Sequence, residues 1–126
     1  MLILSGCAAH NGDGNPITIA RPAFGGEAGF YGSVELQRGC IVTGGDRPET
    51  VLFDPDVTLT DDRSGIRDGP DGAVIFFGRK TWAGAAGLRE GGKGWSIADI
   101  EEFFGVIIPK HCPTNEVVRL HDFQSE

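Results

Sequence analysis

The sequence predicts a mainly β domain, a small barrel or sandwich of short strands with one short helix near residues 97–104. Its apolar residues come in short runs bounded by Gly, Pro and Asp, too short for helices but long enough for strands. Gly makes up 20 of the 126 residues, about twice the usual ~7%, without a collagen-like period, so turns are frequent. One segment alone combines helical apolar spacing with a start signal and a stop signal.

The elements follow in order. Residues 8–28 are rich in Gly, Ala, Pro and Asn and read as a flexible spacer, with Ile17-Thr18-Ile19-Ala20 as a possible edge strand. From Phe30 the pattern sharpens: Val34 and Leu36 alternate with Ser33, Glu35 and Gln37, the period of a half-buried strand. Gly39-Cys40-Ile41-Val42-Thr43 and Thr50-Val51-Leu52-Phe53 are further strands, separated by a turn at residues 44–48. Asp54-Pro55-Asp56 ends the second of them, because Pro cannot donate to a ladder. Val57-Thr58-Leu59-Thr60 alternates again, and residues 61–72 read as a charged loop. Ala73-Val74-Ile75-Phe76-Phe77 is the most apolar run and is expected to be a central strand. Residues 81–88 are ambiguous, with Gly84 and Gly87 favouring bends or a bulge. Ser96 is an N-cap with Asp99 three residues on, Ile97, Ile100, Phe103 and Phe104 share one helical face, and Gly105 stands where a helix stops. Val106-Ile107-Ile108-Pro109 is expected to be a buried strand, and Glu116-Val117-Val118-Arg119-Leu120 the last one.

Composition excludes several functions. A chain this short is one domain, and 40% apolar residues suffice for one core. Lys and Arg number 11 against 18 Asp and Glu, a net charge of −7. The basic residues are scattered, so no nucleic-acid partner is expected.

The motifs that could carry chemistry are near misses. Gly87-Leu88-Arg89-Glu90-Gly91-Gly92-Lys93 fits the start of a phosphate-binding loop, but Gly94 replaces the Ser or Thr that would hold Mg²⁺, so a glycine-rich hairpin is expected. Asn11-Gly12-Asp13-Gly14-Asn15 resembles the front of a calcium loop, but Pro16 and Pro22 stand where Gly and Glu are needed. Asp61, Asp62, Asp68 and Asp71 are read as solvated loop acids, with weak Ca²⁺ binding as the alternative. Cys40 or Cys112 with His111 or His121 would be the candidates for nucleophilic catalysis, yet adjacent His111 and Cys112 are not expected to meet, since successive side chains of an extended segment point to opposite faces. No Gly-x-Ser-x-Gly and no zinc-ligand spacing occurs. No catalytic residues, metal or cofactor are assigned, and the chain is not read as an enzyme. Trp82 and Trp95, flanked by Arg79, Lys80, Arg89 and Lys93, are the one place where basic residues gather near aromatics. They form the candidate partner surface, the alternative being that both indoles cap the core.

Leu4-Ser5-Gly6-Cys7 resembles the lipobox of bacterial lipoproteins at every position. The apolar run before it is Leu2-Ile3-Leu4, shorter than the ~7–15 residues of a full signal peptide. The resemblance implies cleavage before Cys7, a diacylglycerol on its thiol, and attachment to a membrane by acyl chains alone. Gly39-Cys40-Ile41 and Ile108-Pro109-Lys110-His111-Cys112 are similar to short segments near the start and end of small bacterial envelope lipoproteins of uncharacterised function. With Cys7 consumed by lipid, Cys40 and Cys112 remain as a pair, and in an exported protein they are expected to be oxidised. The alternative is a cytosolic chain in which residues 2–4 open a buried strand and all three Cys are reduced.

These readings divide the chain into a signal-peptide remnant (1–6), a lipidated Cys with its tether (7–28) and one β-rich domain (29–126). The expected function is that of a lipid-anchored cell-envelope module, binding or structural, with an envelope protein or glycan as partner. The rivals are a small secreted hydrolase and, should the lipobox match be chance, a cytosolic small-molecule-binding domain.

Overall fold

The computed structural model describes residues 14–21 and 28–124. The lipobox, Cys7 and Asn11-Gly12-Asp13 lie outside the described residues. Eleven strands and one helix follow one another: β1 (Ile17–Thr18), β2 (Ala28–Gly32), β3 (Val34–Gln37), β4 (Cys40–Thr43), β5 (Thr50–Phe53), β6 (Val57–Leu59), β7 (Gly65–Asp68), β8 (Val74–Phe76), β9 (Thr81–Glu90), β10 (Lys93–Gly94), α1 (Ile97–Phe104) and β11 (Val117–Gln124). Eight strands form a curled half-barrel sheet in the order β10-β9-β11-β5-β4-β3, with β1 beside β5 and β2 beside β9. The other three, β6-β7-β8, form a small second sheet. The fold is mainly β with one short helix, as the sequence predicts.

Period-2 alternation divides the large sheet into two buried faces. Val42, Leu52, Leu88 and Val117 point to one side, under Ile100 and Phe104 of α1 and the segment carrying Val106 and Ile108. Val34, Val51, Phe53, Ala85 and Leu120 point to the other, against Val57, Ile66 and Ile75 of the second sheet. Each fully buried aliphatic side chain contributes roughly 1.5–3 kcal/mol. The helix starts where Ser96 Oγ accepts the Asp99 backbone N–H at 3.1 Å, and stops at Gly105, whose φ of 68° is left-handed. Cys40 and Cys112 form a disulfide with Cα atoms 5.8 Å apart, fixing β4 to the segment that precedes β11.

Several expectations change. Residues 14–21, inside the stretch read as a tether, belong to the folded domain: Ile17 and Ile19 are buried, and β1 pairs with β5 in parallel. The run at residues 73–77 yields β8, an edge of the small sheet paired only with β7, rather than a central strand. The ambiguous stretch at residues 81–88 is instead the longest strand, β9, ten residues flanked by β11 on one side and β2 and β10 on the other. Its Gly and Ala let neighbouring side chains lie close over the backbone. Residues 106–109 pair with no strand; Val106 and Ile108 are buried in one cluster with Ile100 and Phe104 of the helix, Ile107 is exposed, and the Ile108 N–H is taken by the Glu101 carboxylate at 2.9 Å. The charged loop at residues 61–72 contains β7, with Ile66 fully buried.

Candidate binding surface

The antiparallel register of β2 and β9 sets Tyr31 directly opposite Trp82. Their rings lie 4.5 Å apart, centroid to centroid, and the side chains are 49% and 53% exposed. The sheet buries neither, so the pair forms a platform. The turn after β8 adds the charge. Gly78 takes a φ of 85° and donates its N–H to the Val34 carbonyl at 3.0 Å, and this bends the chain back toward β9. Arg79 consequently sits over the Phe76 ring, Cζ 5.0 Å from the centroid, and Lys80 Nζ lies 5.6 Å from the Tyr31 centroid. A pocket of about 440 Å³ opens between them, lined also by Val74, Ile75 and Thr81. Thr81 Oγ1 donates to the Gln124 carbonyl at 2.9 Å, tying the base of the platform to β11.

The candidate surface read from the sequence thus separates into two places. Trp82, Arg79 and Lys80 come together, joined by Tyr31 and Phe76, which sequence reasoning missed because only strand register and a turn bring them there. Trp95 lies at the far end of β9, its backbone N–H donating to the Leu88 carbonyl at 3.0 Å. There it contacts Phe103 and Phe104 at 5.2 and 5.6 Å, and with Gly94, Asp99, Glu102 and Phe103 it lines a groove of about 490 Å³. Arg89 serves structure: Nε donates to the Thr114 carbonyl at 2.9 Å and Nη1 to the Trp95 carbonyl at 2.8 Å. Lys93 pairs across the Gly91-Gly92 turn with Glu90. Both turn glycines have positive φ, 62° and 81°, as a two-residue hairpin requires, so the phosphate-loop resemblance resolves into a hairpin.

Beside that hairpin Glu116 receives the Gly91 N–H and a 2.9 Å ion pair from Arg47. The Gly91 N–H, with Arg47, holds the Glu116 carboxyl below the usual range. Glu49 lines the same cleft; burial first, then the charges of Glu116 and Glu90, push its carboxyl up. In the core, Arg119 is buried and pairs with Asp54 at 2.7 Å.

The other candidates carry no assembled chemistry. Contrary to the expectation for an extended segment, residues 110–112 form a turn, so the exposed His111 ring lies beside Cys40 and Cys112, the three ligand atoms within 4.8 Å of one another. This is the one such group among the described residues, and both sulfurs are committed to the disulfide. His121 is buried against Gly84, with Nδ1 2.8 Å from Asp122 Oδ2. Asp62 accepts from Ser64 first and Thr60 second, which lower its pKa, and Asp68 is raised by burial first and by Asp54 next, so these two acids are bound into separate local structures. Among the described residues, no helix is long and apolar enough to cross a membrane. Compared with protein-family models, curated proteins and solved structures, the chain matches none.

Proposed function

We propose that the chain is a lipid-anchored cell-envelope protein whose β-domain is a binding module, and that Tyr31, Trp82, Phe76, Arg79 and Lys80 form its binding face. The observation that carries the reading is the exposed Tyr31–Trp82 pair flanked by two cations on a chain of net charge −7. Aromatic rings at this exposure stack on the apolar faces of sugar rings, and cations beside them select ligands bearing carboxylates or phosphates. An anionic envelope glycan fits both features, and an acidic protein segment fits the charge alone. The anchor rests on the resemblance of Leu4-Ser5-Gly6-Cys7 to a lipobox, and the disulfide suits an oxidising compartment.

Co-sedimentation with purified peptidoglycan and wall polymers tests the face. Trp82→Ala and Lys80→Glu should each reduce the bound fraction by about tenfold, the scale of one lost stacking or charge contact. Equal binding by all three chains would discard the face. For the anchor, intact mass from the native host should show loss of residues 1–6 and a gain of acyl mass. An unacylated Cys7 would sink that half of the reading.

A further inference from the structure

Among the described residues six large apolar side chains are exposed: Tyr31, Phe76, Trp82, Trp95, Phe103 and Ile107. Five of them gather in two patches, one lined by cations and the other by carboxylates, the Arg89 beside the second being held by the Thr114 and Trp95 carbonyls. Tyr31, Phe76 and Trp82 stand with Arg79 and Lys80 where β9 begins. Trp95 and Phe103 line the other groove with Asp99 and Glu102. Trp95 is bonded to Leu88, six residues along β9 from Trp82, so the patches are separated by about 20 Å of strand and cannot cover each other within one molecule.

We infer that the occupant of the acidic groove is the cationic patch of a second copy of this chain, giving a head-to-tail contact. Aromatic surface meets aromatic surface, and Arg79 and Lys80 meet Asp99 and Glu102, all four exposed. The complementarity is carried by the molecule's own two ends. A contact between unlike patches leaves one of each free on every dimer, so it propagates into a ring or a row. A contact built from five aromatic and four charged side chains belongs with weak interfaces, below about 1,200 Å². Confinement to a surface would raise the effective concentration enough to populate such a contact. The inference needs only the two patches. It shares the Tyr31–Trp82 face with the binding reading above, and the two would compete for it.

The test is sedimentation velocity on the oxidised 126-residue chain carrying Cys7→Ser, so that no lipid or adventitious disulfide joins copies, from about 10 µM to 1 mM. The weight-average mass should rise with concentration and fall back toward the monomer in 0.5 M salt, as screening of opposite charges requires. Trp82→Ala and Phe103→Ala should each stay monomeric alone. Mixed one to one they should form a dimer and go no further, because each supplies the patch the other lacks. Both positions are exposed, and circular dichroism checks that both chains fold. A parent chain monomeric at 1 mM overturns the inference. So does association that survives either substitution, or a mixture that stays monomeric. Failure is separable from failure of the binding face: Phe103→Ala should not weaken glycan co-sedimentation, whereas Trp82→Ala should weaken it about tenfold and remove self-association as well.

Discussion

Gly84 lies opposite His121 across the β9–β11 pair, and a Cβ added there would stand 2.4 Å from the ring's Cε1 and 2.8 Å from Nε2. The imidazole occupies the space a side chain would fill. Gly84→Ala should therefore cost about 1–3 kcal/mol, the range for overpacking a filled site. Urea unfolding checks the cost, and in a His121→Ala background the penalty should shrink, since the clash is removed. Glu49 gives a prediction with a definite sign. Its folded pKa is raised, so the native state binds the proton more tightly than the unfolded chain does. That contribution is fully present below the ordinary Glu pKa and is lost as pH rises through the raised value. Glu49→Gln should therefore stabilise the protein at pH 7, by ~0.5 kcal/mol after solvent screening, and change little at pH 3. A larger gain at pH 3 than at pH 7 would overturn this account. Glu116 works in the opposite sense: its pKa is lowered, so its contribution is lost as pH falls through that lowered value.

At the scale of elements, α1 was the most legible part of the sequence because its signals are local. Ser96 caps within three residues of itself, Gly105 stops the helix by its own φ, and Ile100 and Phe104 are buried on one face. Ser96→Ala should cost about 1 kcal/mol. Gly105→Ala should cost more than the cap does, since left-handed φ is compounded by a Cβ 2.7 Å from that of Ala20. Thermal melts of the two variants check the order. The strands were legible where the run itself marks them, as in the alternating β3 and the fully buried, β-branched run of β5, and illegible where pairing decides. Hydropathy ranks residues 73–77 above residues 81–88, yet the second stretch is the one flanked by strands on both sides. Its Ala83 and Ala85 are buried because small side chains fit beneath the second sheet, and no apolar count registers that. The platform was half legible for the same reason. Arg79, Lys80 and Trp82 are near one another along the chain, whereas Tyr31 arrives through a register that no short window contains.

For the whole molecule the disulfide is the main long-range constraint. It closes 72 residues, and in the chain-entropy model that is worth about 4 kcal/mol. Cys40→Ser with Cys112→Ser should lower the stability in guanidinium by that order, with reduction of the parent chain producing the same shift. The same bond has a mechanical meaning. A pull applied between residues 14 and 124 can lengthen only the chain before residue 40 and after residue 112, because the sulfurs carry the load past everything between. At ~3.5 Å per residue the oxidised domain yields about 130 Å of contour, against about 390 Å when reduced. Seven of its strands, β4 to β10 with the whole second sheet among them, lie inside the shunted loop together with the helix and the cationic turn. Under tension, then, the domain behaves as a short leash holding a closed knot of structure, and a force trace with and without reductant would read the difference directly.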